Sequence, residues 1–211
     1  MTDIDRKVYL GKAHVRFVEM LDEGDKVHSI RRVKNPTSDW SSWREPALLL
    51  QKVLPASTVI ETGCGEGTSF WLNGFGADHV TSIEVDKEWA NKSKVDDPRH
   101  RMIWSWKGEA AAINELLLQK YGESFDVGLV DGLNEGRVPC VNLLLHMERV
   151  RWLLIHDFGP EDTGYHWEWI VKPSGWHILR YTGNKPNTGI ACREQDLATV
   201  LATLHGKVEQ I

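Results

Sequence analysis

Cysteine is scarce in this chain: only Cys64, Cys140 and Cys192, widely spaced and without a C-x-x-C pair. That odd, scattered set excludes a disulfide framework and a thiolate zinc site, and it suits a reducing, cytoplasmic setting. Long apolar runs are absent as well. Nothing approaches the roughly 18 consecutive apolar residues of a membrane-spanning helix. The opening MTDIDRKVYLGK is charged where a signal peptide would be apolar, so neither a membrane nor export is expected. No block of like charge stands out. The 25 Lys and Arg are interspersed with 30 Asp and Glu for a net charge of −5, so bulk attraction to nucleic acid or an anionic surface is not expected. The nearest approach to a basic cluster, Arg31, Arg32 and Lys34, reads as a solvated face.

What is present is an ordinary globular composition with one excess. Hydrophobic residues make up 41% of 211 positions, enough for a core that needs neither metal nor disulfide to hold it. Against a typical domain of roughly 100 to 200 residues, the length suggests one compact domain. The excess is tryptophan, ten residues, several of them paired as Trp40/Trp43, Trp104/Trp106 and Trp167/Trp169.

Residues 1–39 are polar and end in KNPTSDW, whose Asn-Pro and Ser-Asp read as a turn before a helix. They are expected to form an N-terminal extension or lid, with 40–211 as the main domain. A helix follows in SSWREPALLLQKVL, capped from Ser41 or Ser42 and stopped by Pro55. Beyond it, short apolar runs alternate with amphipathic stretches, the pattern of a parallel sheet flanked by helices. Strands are expected at 58–62, 79–84, 101–106, 125–130, 150–156, 176–182 and 188–193, and helices at 67–75, 87–94, 109–121 and 138–148. The last two strands are separated only by a short Gly-Asn-Lys-Pro-Asn turn and should pair antiparallel. The fold class is therefore α/β: a doubly wound, mostly parallel seven-stranded sheet with an antiparallel C-terminal hairpin.

The first strand runs straight into Glu61-Thr62-Gly63-Cys64-Gly65-Glu66-Gly67 and then into helix. Glycines there let the backbone approach a ligand and aim free N–H groups at it, although a tight turn alone would also use them. The dinucleotide fingerprint G-x-G-x-x-G places its third glycine where this chain has Thr68, so the phase is wrong for NAD. An acid two positions before the first glycine would repel a pyrophosphate but could hold a cationic aminoacyl group. These residues resemble the first motif, E/D-x-G-x-G-x-G, of the class I S-adenosylmethionine-dependent methyltransferases, and Glu61, Gly63, Gly65 and Gly67 match it in full.

The resemblance implies a Rossmann-like fold, S-adenosylmethionine as cofactor, and a binding set of Glu61, Gly63, Cys64, Gly65 and Gly67. It makes Glu84, at the tip of the second strand, the ribose ligand, while Asp86 suits an N-cap for the helix that follows. After the third strand, Gly108 and Glu109 fall where the family contacts adenine, with Trp104 or Trp106 available to stack on the base.

The fourth strand ends in Asp131-Gly132 and the fifth in His156-Asp157. In a doubly wound sheet these ends face the crevice of the glycine loop, so Asp131, His156 and Asp157 should converge on the reacting methyl, with Asp131 also touching the cofactor. The pair of endings resembles the subfamily of small catechol-type and sugar O-methyltransferases. Methylation of an alcohol needs a base, and His156 or Asp131 could take the proton directly or through a water. The loop Tyr165-His166-Trp167-Glu168-Trp169 reads either as an aromatic wall with a second base or as a surface loop folded on the sheet edge. Metal-dependent members bind magnesium through a carboxylate trio. Here the second carboxylate could only be Asp157, and His156 suits hard Mg²⁺ poorly, so no metal ligand is assigned and magnesium dependence stays open.

Neither a D/N-P-P-Y/F/W motif nor a Pro-Cys nucleophile follows the fourth strand; Pro139-Cys140 lies within the next expected helix. That disfavours nucleic-acid bases as acceptors. The expected partner is a small-molecule acceptor, with O-methylation as the reaction. Two rivals stay open: an S-adenosylmethionine-binding module without catalysis, and an NAD-dependent oxidoreductase, which the glycine phase opposes.

Overall fold

Five short apolar runs lie side by side as parallel strands in the computed structural model, which describes residues 42–118, 124–160 and 163–211. The elements are α1 (Arg44–Val53), β1 (Thr58–Thr62), α2 (Glu66–Ser69, widening into a π-turn over Phe70–Phe75), β2 (His79–Glu84), α3 (Lys87–Ser93), β3 (His100–Trp104) and α4 (Glu109–Leu118). They continue as β4 (Val127–Val130), α5 (Asn134–Leu145), β5 (Trp152–Ile155), two short 3₁₀ turns at Thr163–Tyr165 and Trp167–Trp169, β6 (Trp176–Tyr181), β7 (Thr188–Arg193), α6 (Glu194–Thr203) and β8 (Val208–Gln210). The sheet order is β3-β2-β1-β4-β5-β7-β6-β8. β1 to β5 pair in parallel, whereas β7 runs antiparallel between β5 and β6. The order reverses between β1 and β4, and a crevice at such a switch point is where doubly wound sheets bind ligands.

β1, β2 and β7 begin and end where the sequence pattern places them, and the last two expected strands pair as an antiparallel hairpin. The sheet nevertheless has eight strands, because β8 adds antiparallel to β6. The helix before it, α6, follows β7 with no turn residue to announce it. Its apolar stripe is thin, Leu197 and Val200 with Leu204 just beyond, but these pack on the core. The fourth expected helix starts at Asn134, not 138, and carries Pro139 inside it. The proline forfeits one backbone bond, while Arg137 in the first turn is anchored to the loops on either side. At α1 no side chain caps the helix; Ser42 is buried, its Oγ 3.3 Å from Thr188 Oγ1. The expected extension over 1–39 and Trp40 lie outside the described residues, as do positions 119–121 of the third expected helix.

One sheet face carries an aromatic column. Trp43 stacks on Trp71 with ring centres 5.0 Å apart, Phe75 meets Trp71 edge-on at 4.8 Å, and Trp152 follows at 6.0 Å. Each such contact is worth about 0.5–1.5 kcal/mol beyond its buried area. Much of the tryptophan excess is thus core: Trp43, Trp71, Trp152 and Trp176 are all buried. On the other face α5 packs down through Leu144 onto Gly128, which has no room for a side chain beside Leu153. Among the described residues no helix is long and apolar enough to cross a membrane.

Candidate cofactor and acceptor site

Backbone hydrogen bonds lace the carboxyl ends of the strands together. Gly63 N–H donates to the Ile83 carbonyl at 3.0 Å, Asp131 N–H to the Thr62 carbonyl at 3.1 Å, and His156 N–H to the Val130 carbonyl at 3.0 Å. The loops after β1, β4 and β5 therefore meet, and the expected cofactor and acceptor residues come to one end of the sheet.

The three loop glycines differ in role. Gly63 has φ +76°, and a Cβ there would stand 2.3 Å from the Asp131 carbonyl oxygen, so only glycine lets the two loops touch. At Gly67 a Cβ would press on Glu61 Oε2 at 3.1 Å and on the Trp43 ring at 3.2 Å. Gly65 is extended, and its absent side chain would find nothing nearer than Trp89 Nε1 at 3.9 Å. The loop is packed on two sides and open at Gly65.

Glu61 is fully buried beneath this loop rather than presented to the crevice. Its Oε1 accepts from Ser82 Oγ at 2.6 Å and from Thr68 Oγ1, and the Trp71 indole lies near the same carboxyl. Burial raises its pKa to about 7 against those two hydroxyl bonds. Behind Ser82, His100 Nε2 lies 3.0 Å from the same hydroxyl and extends the chain to β3. A surface cleft of about 450 Å³ opens beside β3 near Lys94, His100 and Trp104, away from the glycine loop.

Glu84 ends β2 with its carboxylate held in place. Oε1 accepts from the N–H groups of Val85 and Asp86 at 2.8 and 3.0 Å, and Oε2 takes the Cys64 thiol at 3.5 Å. Burial and the Glu84 charge push the Cys64 thiol well up, so it stays protonated. Asp86 caps α3 by accepting from Trp89 N–H at 2.9 Å, and the Trp89 indole donates to the Cys64 carbonyl at 2.6 Å.

Gly108 takes φ +96° with open space around it. The buried Glu109 side chain crosses to the loop after β4, where its carboxyl fills the position a Cβ on Gly132 would need. Burial, then the nearby Glu84 charge, raises it to about 8, and its Oε1 has no partner among the described residues. Trp104 donates its indole N–H to the Val85 carbonyl at 3.0 Å, while Trp106 is 75% exposed.

At the other side Asp131, His156 and Asp157 converge, each with a ligand atom within 4.8 Å of the others. His156 Nδ1 lies between the carboxylates, 2.9 Å from Asp131 Oδ1 and 3.3 Å from Asp157 Oδ1, aligned on neither, and its buried Nε2 has no partner among the described residues. Burial opposes protonation of the ring, but the two carboxylates outweigh it and raise His156 to about 10. Asp157 falls to about 2, its burial outweighed by His156 and Arg137. It sits at φ +55°, a strained position for a non-glycine residue. Tyr165 OH donates to its Oδ2 at 2.9 Å and the Trp167 indole to its carbonyl at 3.1 Å. The aromatic loop therefore walls the acceptor end, while Trp169 remains half exposed and stacks on His166.

Sequence reasoning missed Arg137. Its buried guanidinium donates to Gly132 O at 2.8 Å, His156 O at 2.9 Å, Asp157 Oδ2 at 3.0 Å and Asp131 Oδ1 at 3.2 Å. The only signal was an arginine one residue before the expected helix start, with the apolar run from Val138 directly after it.

No protein-family model matches the chain, and no curated protein matches it in sequence. Solved structures do resemble it. A Staphylococcus aureus protein provisionally described as a caffeoyl-CoA O-methyltransferase superposes with a TM-score of 0.53, over 90% of this chain and 100% of its own, at 12% identity. Human methyltransferase-like protein 13, solved with S-adenosylhomocysteine, gives 0.50 over 78% of this chain and 88% of its own, at 15% identity. The fold is that of the Rossmann-like methyltransferases.

Proposed function

We propose that this chain is an S-adenosylmethionine-dependent methyltransferase acting on a small-molecule acceptor at oxygen. The observation that carries the reading is the acid-flanked glycine loop, open at Gly65, set against Glu84 and Asp131 at the ends of neighbouring parallel strands. The residues suit the cofactor. Gly63 to Gly67 offer a turn whose open face would admit a ligand, Glu84 is a rigidly held acceptor that would take ribose hydroxyls, and Gly108 and Glu109 would border the base, with a buried Glu109 oxygen lacking a partner among the described residues. The chemistry this cofactor supplies is an electrophilic methyl group on a sulfonium.

The chain's own residues align the acceptor and remove its proton. Asp131 Oδ2 accepts nothing among the described residues, and the side chain is 22% exposed, so Asp131 receives the hydroxyl proton there. His156 is charged at neutral pH and orients Asp131 from behind; it is not the base. Glu61 braces the loop through Thr68 and Ser82.

The test is calorimetric titration with S-adenosylhomocysteine alongside NADH, repeated on Gly65→Arg. Micromolar binding of the first ligand alone, abolished in the variant, is expected; NADH binding, or an unchanged variant, would overturn the assignment. Binding without product across a broad acceptor panel would favour a module that has lost catalysis.

A further inference from the structure

We propose that Arg137 is the resident cation of the acceptor end, bridging Asp131 and Asp157 in the place a divalent metal would take. The cluster invites a metal. Asp131, His156 and Asp157 bring three potential ligand atoms within 4.8 Å of one another, and two of the three are carboxylates.

The guanidinium already spans that gap. Its side chain is 7% exposed, with Nη2 3.2 Å from Asp131 Oδ1 and Nη1 3.0 Å from Asp157 Oδ2. Nε and Nη1 are spent besides on the Gly132 and His156 carbonyls, so one planar group ties the loops after β4 and β5 together. The Tyr165 ring covers it, 4.4 Å from the guanidinium carbon to the ring centre. Guanidinium does not lose its proton in proteins, and its fork matches the paired carboxylates. A metal ion on these oxygens would have to displace those bonds or sit beside a buried cation with little solvent to screen the repulsion. The cluster as built therefore does not fit a metal. Arg137 is a positioning residue: it holds Asp131 at its working angle and supports the strained Asp157 backbone.

The catalytic consequence rests on the methyl-transfer reading, but the cation assignment is tested without turnover. Protein dialysed against chelator is titrated with Mn²⁺, followed by the free-ion paramagnetic signal, and with Mg²⁺ by calorimetry. The wild type is expected to bind neither stoichiometrically in the millimolar range. Arg137→Met, which keeps the aliphatic stem without the charge, is expected to gain one Mn²⁺ per chain with affinity raised by at least an order of magnitude. Arg137→Lys is expected to keep metal out.

Stoichiometric metal on the wild type overturns the proposal, as does a folded Arg137→Met that gains none. Should Arg137→Met fail to fold, the wild-type and Arg137→Lys titrations still decide, since metal on either overturns it. A parallel S-adenosylhomocysteine titration separates the two readings. Its failure on wild type would sink the methyltransferase assignment and leave the cation assignment standing.

Discussion

Gly63 and Gly65 are two residues apart in one loop, yet alanine should have opposite consequences at the two positions. At Gly63 the new Cβ meets two penalties. The left-handed backbone at φ +76° costs a non-glycine residue about 1–2 kcal/mol. The Cβ would also stand 2.3 Å from the Asp131 carbonyl oxygen, and forcing such a group into a packed site typically costs a further 1–3 kcal/mol or so. The sum, roughly 2–5 kcal/mol, corresponds to a fall in Tm of roughly 5–15 °C for a domain of this size. At Gly65 the backbone is extended and the nearest atom is 3.9 Å away, so Gly65→Ala should stay within about 0.5 kcal/mol of wild type. Thermal unfolding followed by tryptophan fluorescence measures both, since several indoles lie in the core. Equal destabilisation by the two variants, or a Gly63→Ala protein melting with the wild type, would refute the account of how the β1 and β4 loops touch.

Two further predictions concern protons. Glu109 and Glu61 are held above the ordinary carboxyl value of 4.5, at about 8 and about 7, so the folded chain keeps protons that the unfolded chain releases. Their share of the stability should therefore fall as pH rises from about 4.5 towards 8 and level off above that. Glu109→Gln should flatten its share of the slope, on the order of 5 kcal/mol at most at about 1.4 kcal/mol per pH unit. Urea titrations at pH 5 and pH 8 that show the variant with an undiminished slope would count against the burial assigned to Glu109. His156 works in the same direction over a higher pH range. Raised to about 10 from 6.5, it stabilises the fold fully below pH 6.5, and that contribution is lost as pH rises through about 10. The imidazole resonances in NMR should report a charged ring at pH 8, and a titration midpoint below 7 would return His156 to the role of base.

Much of the frame was legible in the residues. β1 and β2 announce themselves as β-branched runs bounded by turn residues, β7 follows the Gly-Asn-Lys-Pro-Asn turn, and Asp86 three positions before Trp89 signals the α3 cap that forms. The acid and glycines of the β1 loop, and the Asp-Gly and His-Asp endings of β4 and β5, pointed to one end of one sheet, where they lie. α6 escaped notice because its stripe is thin and no turn residue marks its start, and β8 because it is only three residues long, although Gly206 turns the chain just before it. The serine cap expected at α1 gave way to burial of Ser42 against Thr188, 146 positions away.

The local pattern of side chains, every second residue in strands and three or four apart in helices, determined which segments became strands and helices and which residues closed their ends. Tertiary structure alone decided what those residues do to one another. Glu61 lies under its loop because β2 delivers Ser82 and α2 delivers Thr68 to its carboxyl. His156 is pushed towards its protonated form because β4 and β5 bring Asp131 and Asp157 to one nitrogen. Arg137 is a buried clamp because the loops on both sides of it close over its guanidinium. Backbone propensity acts over a few neighbouring residues, whereas charge, burial and hydrogen-bond partners depend on groups that only the folded sheet brings within a few ångströms of each other.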